Sequence, residues 1–382
     1  MKILVPITYY APHWTGLTAL ATNLCEGLAR RGHEVTVLTS QYDRSLPRVE
    51  ERNGVLVRRV RSVGQLSRTQ IMPSFPLEFT RLLRGTELLH VHSPMPEIGL
   101  LVAVASVFRL PTVITHQGDI FLPAGLFNRA VRIAMDTSTA IGASLADRIT
   151  TLNEDYRTWS RVTGHRLHKS VAAFPPIRIP EADRQAAAEW RSQLGLTDVP
   201  VVGFAGRFVE EKGFDVLLSC LKNLRADLPG TTLVFAGQTE VPYEDFSSRC
   251  KPLIEEAGAS LVNVGLLSDR ARLAQFYAMC DVFALPSRTD CLAAVQIEAL
   301  LSGTPVVATD IPGARSVVNA IGMGRLVPPN DADALATALA DELRLKRQVD
   351  AAQVRKYFDP DVSIDWHEAV FAEVVRQKRF RQ

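Results

Sequence analysis

Apolar residues come along this chain in short unbroken runs rather than in the alternation of a half-exposed strand. "KILVPIT" opens it, and "HEVTVLTS", "GVLVRRV", "LLHVHS", "TVITH" and "RITTL" follow. A second series begins near Val201 with "VVGFAG", "TTLVFAG", "SLVNVG", "CDVFALPS" and "TPVVATD". Strands that are apolar throughout predict parallel sheets covered on both faces. Between them the period changes to that of a helix. In "GLTALATNLCEGLARRGH", Leu17, Leu20, Leu24 and Leu28 share a face, and Gly32 sits where the helix should stop. Strand, helix, strand in that order is a β-α-β unit with a right-handed crossover.

The two series are parted by "FPPIRIPEADR" (174–184), where three prolines in six residues make a stiff connector. The expected fold is therefore α/β, with two doubly wound domains, 1–180 and 181–361. The length of 382 residues suits two domains of about 150–200 each. The stretch "DVSIDWHEAVFAEVVRQKRF" within 362–382 reads as an amphipathic helix. Two such domains make a cleft, and ligands of such folds bind at the carboxyl ends of strands.

Hydrophobic content of 47% and charged content of 22% are those of an ordinary globular protein. No apolar run reaches the roughly 20 residues that span a bilayer. The start reads as a strand rather than a signal peptide, so a cytoplasmic chain is expected. Cys25, Cys220, Cys250, Cys280 and Cys291 form no C-x-x-C pair and read as small core residues. Charge is uneven: residues 1–180 carry 21 Lys and Arg against 13 Asp and Glu, and residues 181–382 carry 22 against 28. A basic first half suits a membrane surface or a phosphorylated substrate, or is a scattered arginine surface without function.

Four polar clusters follow predicted strands. Gly16 lies in the first strand-to-helix loop, where the backbone can approach a phosphate. No G-x-G-x-x-G or P-loop motif is present, which argues against a dinucleotide site and a P-loop ATPase. His116 and Asp119 of "THQGD" are expected on a loop at the mouth of the cleft. Arg207 and Lys212 of "GFAGRFVEEKGFDVLL" flank a loop before a helix, an arrangement that holds a diphosphate or is a plain solvated loop. In "TDCLAAVQIE" a helix should begin near Ala293. Asp290 then precedes it, Glu298 lies on its second turn, and the amides of Ala293 and Ala294 are left free for a ligand.

Together these segments resemble the glycosyltransferase family 4 group, retaining enzymes of the GT-B fold with two Rossmann-like domains facing a deep cleft. "GRFVEEKGFDVLL", "CDVFALPSRTDCLAAVQIEALLSGTPVVATDIPG" and "GRLVPPND" carry the likeness in the second half, and "MKILVPITYYAPHWTGL" and "ARRGHEVTVLT" in the first. The resemblance implies that Glu298 binds the ribose of a UDP- or GDP-sugar and that Asp290 lies near the donor sugar. It implies that Arg207 and Lys212 clamp the leaving diphosphate, and that Gly16, Leu266, Leu292, Ala293 and Ala294 belong to the donor site. His116 would lie at the reaction centre, with Asp119 the one nameable carboxylate nucleophile. It further implies domain closure on the donor, retention by same-face attack, and a last helix that crosses back to the first domain with Trp366 as packing anchor.

The sequence departs from the family pattern at Asp290, where Glu is usual, at Ala293, where Gly is usual, and at Pro312 and Ser316 of "DIPGARS". These departures bear on the identity of the donor sugar. Neither metal nor cofactor is expected, since the cations can stabilise the leaving group and the cleft positions hold no Asp-x-Asp pair. The acceptor would be a glycan, a glycolipid or a small molecule, and no nucleic acid is expected. Residues 120–135, with Arg129 and Arg132, read either as an interfacial helix or as a core helix. A sugar-nucleotide epimerase of the same architecture and a non-catalytic nucleotide-sugar-binding protein are the competing readings.

Overall fold

The computed structural model describes residues 1–66, 69–121, 125–241 and 244–380. The chain divides into two units, Met1–Pro176 with Pro360–Gln382, and Ile177–Asp359. The division falls inside the proline-rich stretch, slightly ahead of residue 180.

The first unit is built on an eight-stranded sheet. Its strand order is Ser170–Ala172, Arg148–Thr151, Thr112–His116, Leu88–Ser93, Lys2–Pro6, Glu34–Gln41, Val55–Arg61 and Val49–Arg52. All neighbours run parallel except the last pair, a hairpin at the edge. The continuous apolar runs have the cause assigned to them. Ile3 and Val5 pack on one face with Leu24, Leu28 and Phe371, whereas Leu4, Leu38 and Leu89 pack on the other with Phe79 and Ile98. Each strand thus needs apolar side chains in both directions.

Helix Gly16–Arg30 starts from a capping box between Thr15 and Thr18 and buries Leu20, Leu24 and Leu28. The last helix, Pro360–Phe380, belongs to this unit and buries Ile364, Phe371, Val374 and Val375. Trp366 is only half-buried and meets His367 edge-on, so the anchoring falls to Ile364 and Phe371. Helix Leu126–Leu145 is not a core helix. It buries only Thr139, Gly142 and Ala143, and Leu126, Phe127 and Ile133 point outward. Residues 122–124 of that stretch lie outside the described residues. Among the described residues no helix is long and apolar enough to cross a membrane.

The second unit has six parallel strands in the order Leu261–Gly265, Thr232–Ala236, Val201–Ala205, Val282–Leu285, Val306–Thr309 and Arg325–Val327. Phe204, Phe208, Phe214, Phe235 and Phe246 form an aromatic core beneath it. The connections leave the central strand Val201–Ala205 toward one edge and return at Val282–Leu285 beside it. That is a topological switch point, where the loops after two adjacent strands splay apart and leave room for a ligand. In the first unit the equivalent pair is Lys2–Pro6 and Leu88–Ser93, and Gly16 follows the loop of the former.

Candidate functional site

In the second unit, both loops at the switch point carry expected site residues. After Val201–Ala205 the chain makes a short turn, Glu210–Lys212, and enters helix Phe214–Asp227 through Gly213. Gly213 has φ 66°, and a Cβ there would run into the carbonyl of Pro286. Only glycine lets this turn lie so close to the end of the neighbouring strand. Arg288 fastens the second loop to the first. Its guanidinium donates to both oxygens of Asp215 at 2.8 and 2.7 Å and to the Glu210 carbonyl at 2.6 Å, and its amide donates to the Glu211 carbonyl at 2.8 Å.

This frame brings Lys212 and Asp290 together. Lys212 Nζ donates to Asp290 Oδ2 at 2.7 Å, with side chains 21% and 8% exposed. Burial alone would lower the lysine pKa, but Asp290 and Glu211 outweigh it against the opposing Arg207, and the ammonium is held above its usual range. Arg207 Nη2 donates to Glu211 Oε1 at 2.8 Å. Two cations and two acids therefore share one strand-end corner.

Glu298 lies on helix Ala294–Leu301, nearly buried. Its Oε1 accepts from Arg270 Nη2 at 2.6 Å and its Oε2 from the hydroxyl of Tyr277 at 2.9 Å. Burial and the adjacent carboxylate push the Tyr277 phenol well above its usual range, so it stays a donor. The sequence reading missed Arg270, Tyr277, Arg288 and Asp215. Arg288 and Asp215 sit within quoted motifs, and Arg270 and Tyr277 lie on helix Arg270–Met279, where nothing local marks them.

The expectation that both helix-terminal amides are free needs correcting. The amide of Ala293 donates to the Gly313 carbonyl at 3.4 Å, because helix Pro312–Ile321 presses its start against residues 290–291. A Cβ on Gly313 would meet the Asp290 and Cys291 backbone. Leu292 and Ala293 are buried, Ala294 is half-buried, and Leu266 is exposed just past the edge strand. Around this loop Ser287 Oγ, Gln296 Oε1 and Ser316 Oγ are buried without a hydrogen-bond partner. Such atoms are costly unless a polar ligand completes them.

In the first unit, His116 is the last residue of its strand rather than part of an open loop, and it is 1% exposed. Nδ1 meets Ser93 Oγ at 2.9 Å, and Nε2 meets Ser160 Oγ at 3.0 Å and Asp119 Oδ1 at 3.2 Å. Asp119 Oδ2 accepts the Arg161 amide at 3.0 Å, and the Asp119 amide donates to the Tyr156 hydroxyl at 2.7 Å. Burial would raise the Asp119 pKa, but the hydrogen bonds and charge of His116, with the Arg161 amide and Ser160, carry it below its usual range. An enclosed imidazole and carboxylate must satisfy each other, which is why neither stands open at a loop tip. Gly16 is the first residue of its helix, exposed, and a Cβ there would meet nothing within 4 Å. Packing within the chain does not require a glycine at that position.

Two family models match: residues 15–169 fit the glycosyl transferase 4-like domain, and residues 187–357 fit glycosyl transferases group 1. The chain belongs to the family 4 glycosyltransferases. A GDP-mannose-dependent alpha-(1-6)-phosphatidylinositol monomannoside mannosyltransferase of Mycolicibacterium smegmatis is 35% identical over 179 residues, 45% of this chain and 46% of that protein. The chain thus aligns with less than half the length of such relatives. A 2-deoxystreptamine N-acetyl-D-glucosaminyltransferase of Streptomyces fradiae is 29% identical over 357 residues, covering 85% of this chain and 82% of that protein. Among solved structures, HepE of Anabaena in complex with UDP and glucose superposes with a TM-score of 0.75 at 18% identity, over 98% of this chain and 99% of that one. Both expected features of the fold, the GT-B class and its two Rossmann-like domains, hold.

Proposed function

We propose that this transferase moves a sugar from a UDP- or GDP-sugar to an acceptor with retention of anomeric configuration and without a metal ion. The observation that carries the reading is the Lys212–Asp290 contact of 2.7 Å at the switch point, with Arg207 on the same loop as Lys212. Cleaving the anomeric bond places negative charge on the departing diphosphate. A preset ammonium and guanidinium stabilise that charge without reorganising solvent. Asp290 holds Lys212 in place before the donor arrives and then faces the donor sugar. Glu298 is fixed through one bond to each oxygen, and the remaining lone pairs accept the two ribose hydroxyls. Ser287, Gln296 and Ser316 are candidates for the remaining polar contacts.

The enclosed His116–Asp119 pair sets the local charge of the first unit's strand ends, and Gly16 leaves the backbone there open to a ligand phosphate. The departing phosphate takes the acceptor proton on the same face. The named relative uses GDP-mannose, and the named structure holds UDP, which supports a nucleotide donor of either kind. The acceptor is a glycan, a glycolipid or a small molecule, used in polysaccharide or glycolipid synthesis on the cytoplasmic side, with peripheral membrane contact through the first unit. The test is a thermal-shift panel of UDP-, GDP- and ADP-sugars, followed by acceptor-dependent release of the nucleoside diphosphate. A panel without any shift refutes the reading.

A further inference from the structure

Helix Leu126–Leu145 carries its apolar stripe on the wrong side for a core. Leu126, Phe127, Ile133, Thr137, Ile141 and Leu145 all face outward, at the spacings that place residues on one side of a helix. Leu126 is 87% exposed and Phe127 69%. The charged residues of this helix, Arg129, Arg132 and Asp136, fall along its flank and not within the stripe.

The neighbouring helix, Ile98–Val107, packs beside it through Gly99, whose amide donates to Ser138 Oγ at 3.1 Å. It contains no charged residue and also exposes Leu100 and Val107, with Phe108 following. Scattered exposed leucines are ordinary, but an outward stripe along one helix beside further exposed apolar residues on its neighbour marks a contact surface.

The charges around this face choose the occupant. Arg129 and Arg132 lie on the helix itself. Arg166 reaches the Ala140 carbonyl and Ser144 Oγ, and Lys169 caps the Ser144 carbonyl at 2.7 Å. Against these stands Asp136, which Arg161 meets at 3.4 Å. An apolar stripe with a basic border matches a lipid surface whose headgroups are anionic, and among the described residues no helix is long and apolar enough to cross a membrane.

We propose that helices Ile98–Val107 and Leu126–Leu145 form a docking face for an anionic phospholipid bilayer. The stripe enters the headgroup boundary and Arg129 and Arg132 meet lipid phosphates. This names the surface for the peripheral membrane contact of the proposed function and rests on that part of it. The Lys212–Asp290 corner that carries the donor reading lies in the other unit and is read separately.

The experiment is co-sedimentation of the full chain with vesicles of phosphatidylglycerol or of phosphatidylcholine, with the sugar-nucleotide thermal shift measured on the same samples. The wild type is expected to pellet with phosphatidylglycerol and to stay in solution with phosphatidylcholine. Arg129→Glu/Arg132→Glu is expected to weaken phosphatidylglycerol binding by about 25-fold or more, at about fivefold for each cation removed. Leu126→Ser/Phe127→Ser/Ile133→Ser should abolish it. Arg132 is half-buried and the other four side chains are exposed, none of them in the core, so the melting temperature and the donor shift should stay unchanged in both variants. A wild type that ignores phosphatidylglycerol, or binds both vesicle types alike, overturns the proposal. So does a concentration-dependent dimer that the serine substitutions dissociate, since the face would then belong to a second copy. A missing donor shift with intact vesicle binding would sink the transferase reading alone.

Discussion

Gly313→Ala is the sharpest test of how the donor-side loop is held. The added Cβ would lie 2.8 Å from the carbonyl carbon of Cys291 and closer still to the carbonyl group of Asp290. Ordinary contact begins near 3.4 Å, so one of the two backbones must retreat by at least 0.6 Å, the difference between those values. Neither is the flexible end of a side chain. One is the first turn of helix Pro312–Ile321 and the other carries Asp290. Overpacking of this kind costs about 1–3 kcal/mol. In a unit of this size that lowers the melting temperature by about 2–12 °C. The same retreat draws Asp290 from Lys212 and loosens the two bonds that the Gly313 carbonyl accepts from Ala293 and Gln296. Misplacing a catalytic group by a sizeable fraction of an ångström should lower turnover by about 10–100-fold. The assay is a melt with and without sugar nucleotide, plus initial rates. Ser316→Ala is the control for stability alone, because its buried hydroxyl has no partner within the chain to lose, and the melt without sugar nucleotide should stay close to that of the wild type. If Gly313→Ala melted within about 1 °C of the wild type, with unchanged turnover, the loop would be yielding freely and the account would be wrong.

Lys212→Ala should lower turnover by about 10²–10³-fold, the usual effect of removing one preset stabiliser of developing charge; an unchanged rate removes its leaving-group role. Tyr277→Phe deletes a buried hydrogen bond to a carboxylate and should cost about 1.5–3 kcal/mol in a chemical melt while weakening nucleoside affinity. Acid should destabilise the first unit early. Burial holds the His92 imidazole down at about 3 and that of His367 at about 4, from 6.5. The unfolded chain binds those protons first, so their contribution is intact above pH 6.5 and is lost as pH falls toward those values. The depressed Asp119 carboxyl acts in the same direction at lower pH, below its ordinary 3.8. His367→Asn should flatten the pH dependence of the melt between pH 6.5 and 4, and an unaltered slope would show that His367 titrates normally.

The order of strands and helices, the two-unit division and the strand ends that carry polar clusters were all written locally. Residues buried on both faces must be apolar in succession, and turns need their glycines, so sequence alone reports them. The placing of Arg207, Lys212 and Asp290 beside strand and helix ends, and of Glu298 on the helix that follows, was legible for the same reason. What holds them was not. Tyr277 and Arg270 reach Glu298 from a helix 21 and 28 positions away in sequence, and Asp215 and Arg288 meet across 73. A hydrogen bond depends on distance in space, and no periodicity encodes it. The enclosure of His116 likewise depends on Ser93 and Ser160, brought in from other elements of the unit. The stripe of Leu126–Leu145 shows the same division. Its periodicity was visible, but whether it faced inward or outward was settled only by the packing of Ile98–Val107 beside it, because an amphipathic pattern fixes a face and not its partner.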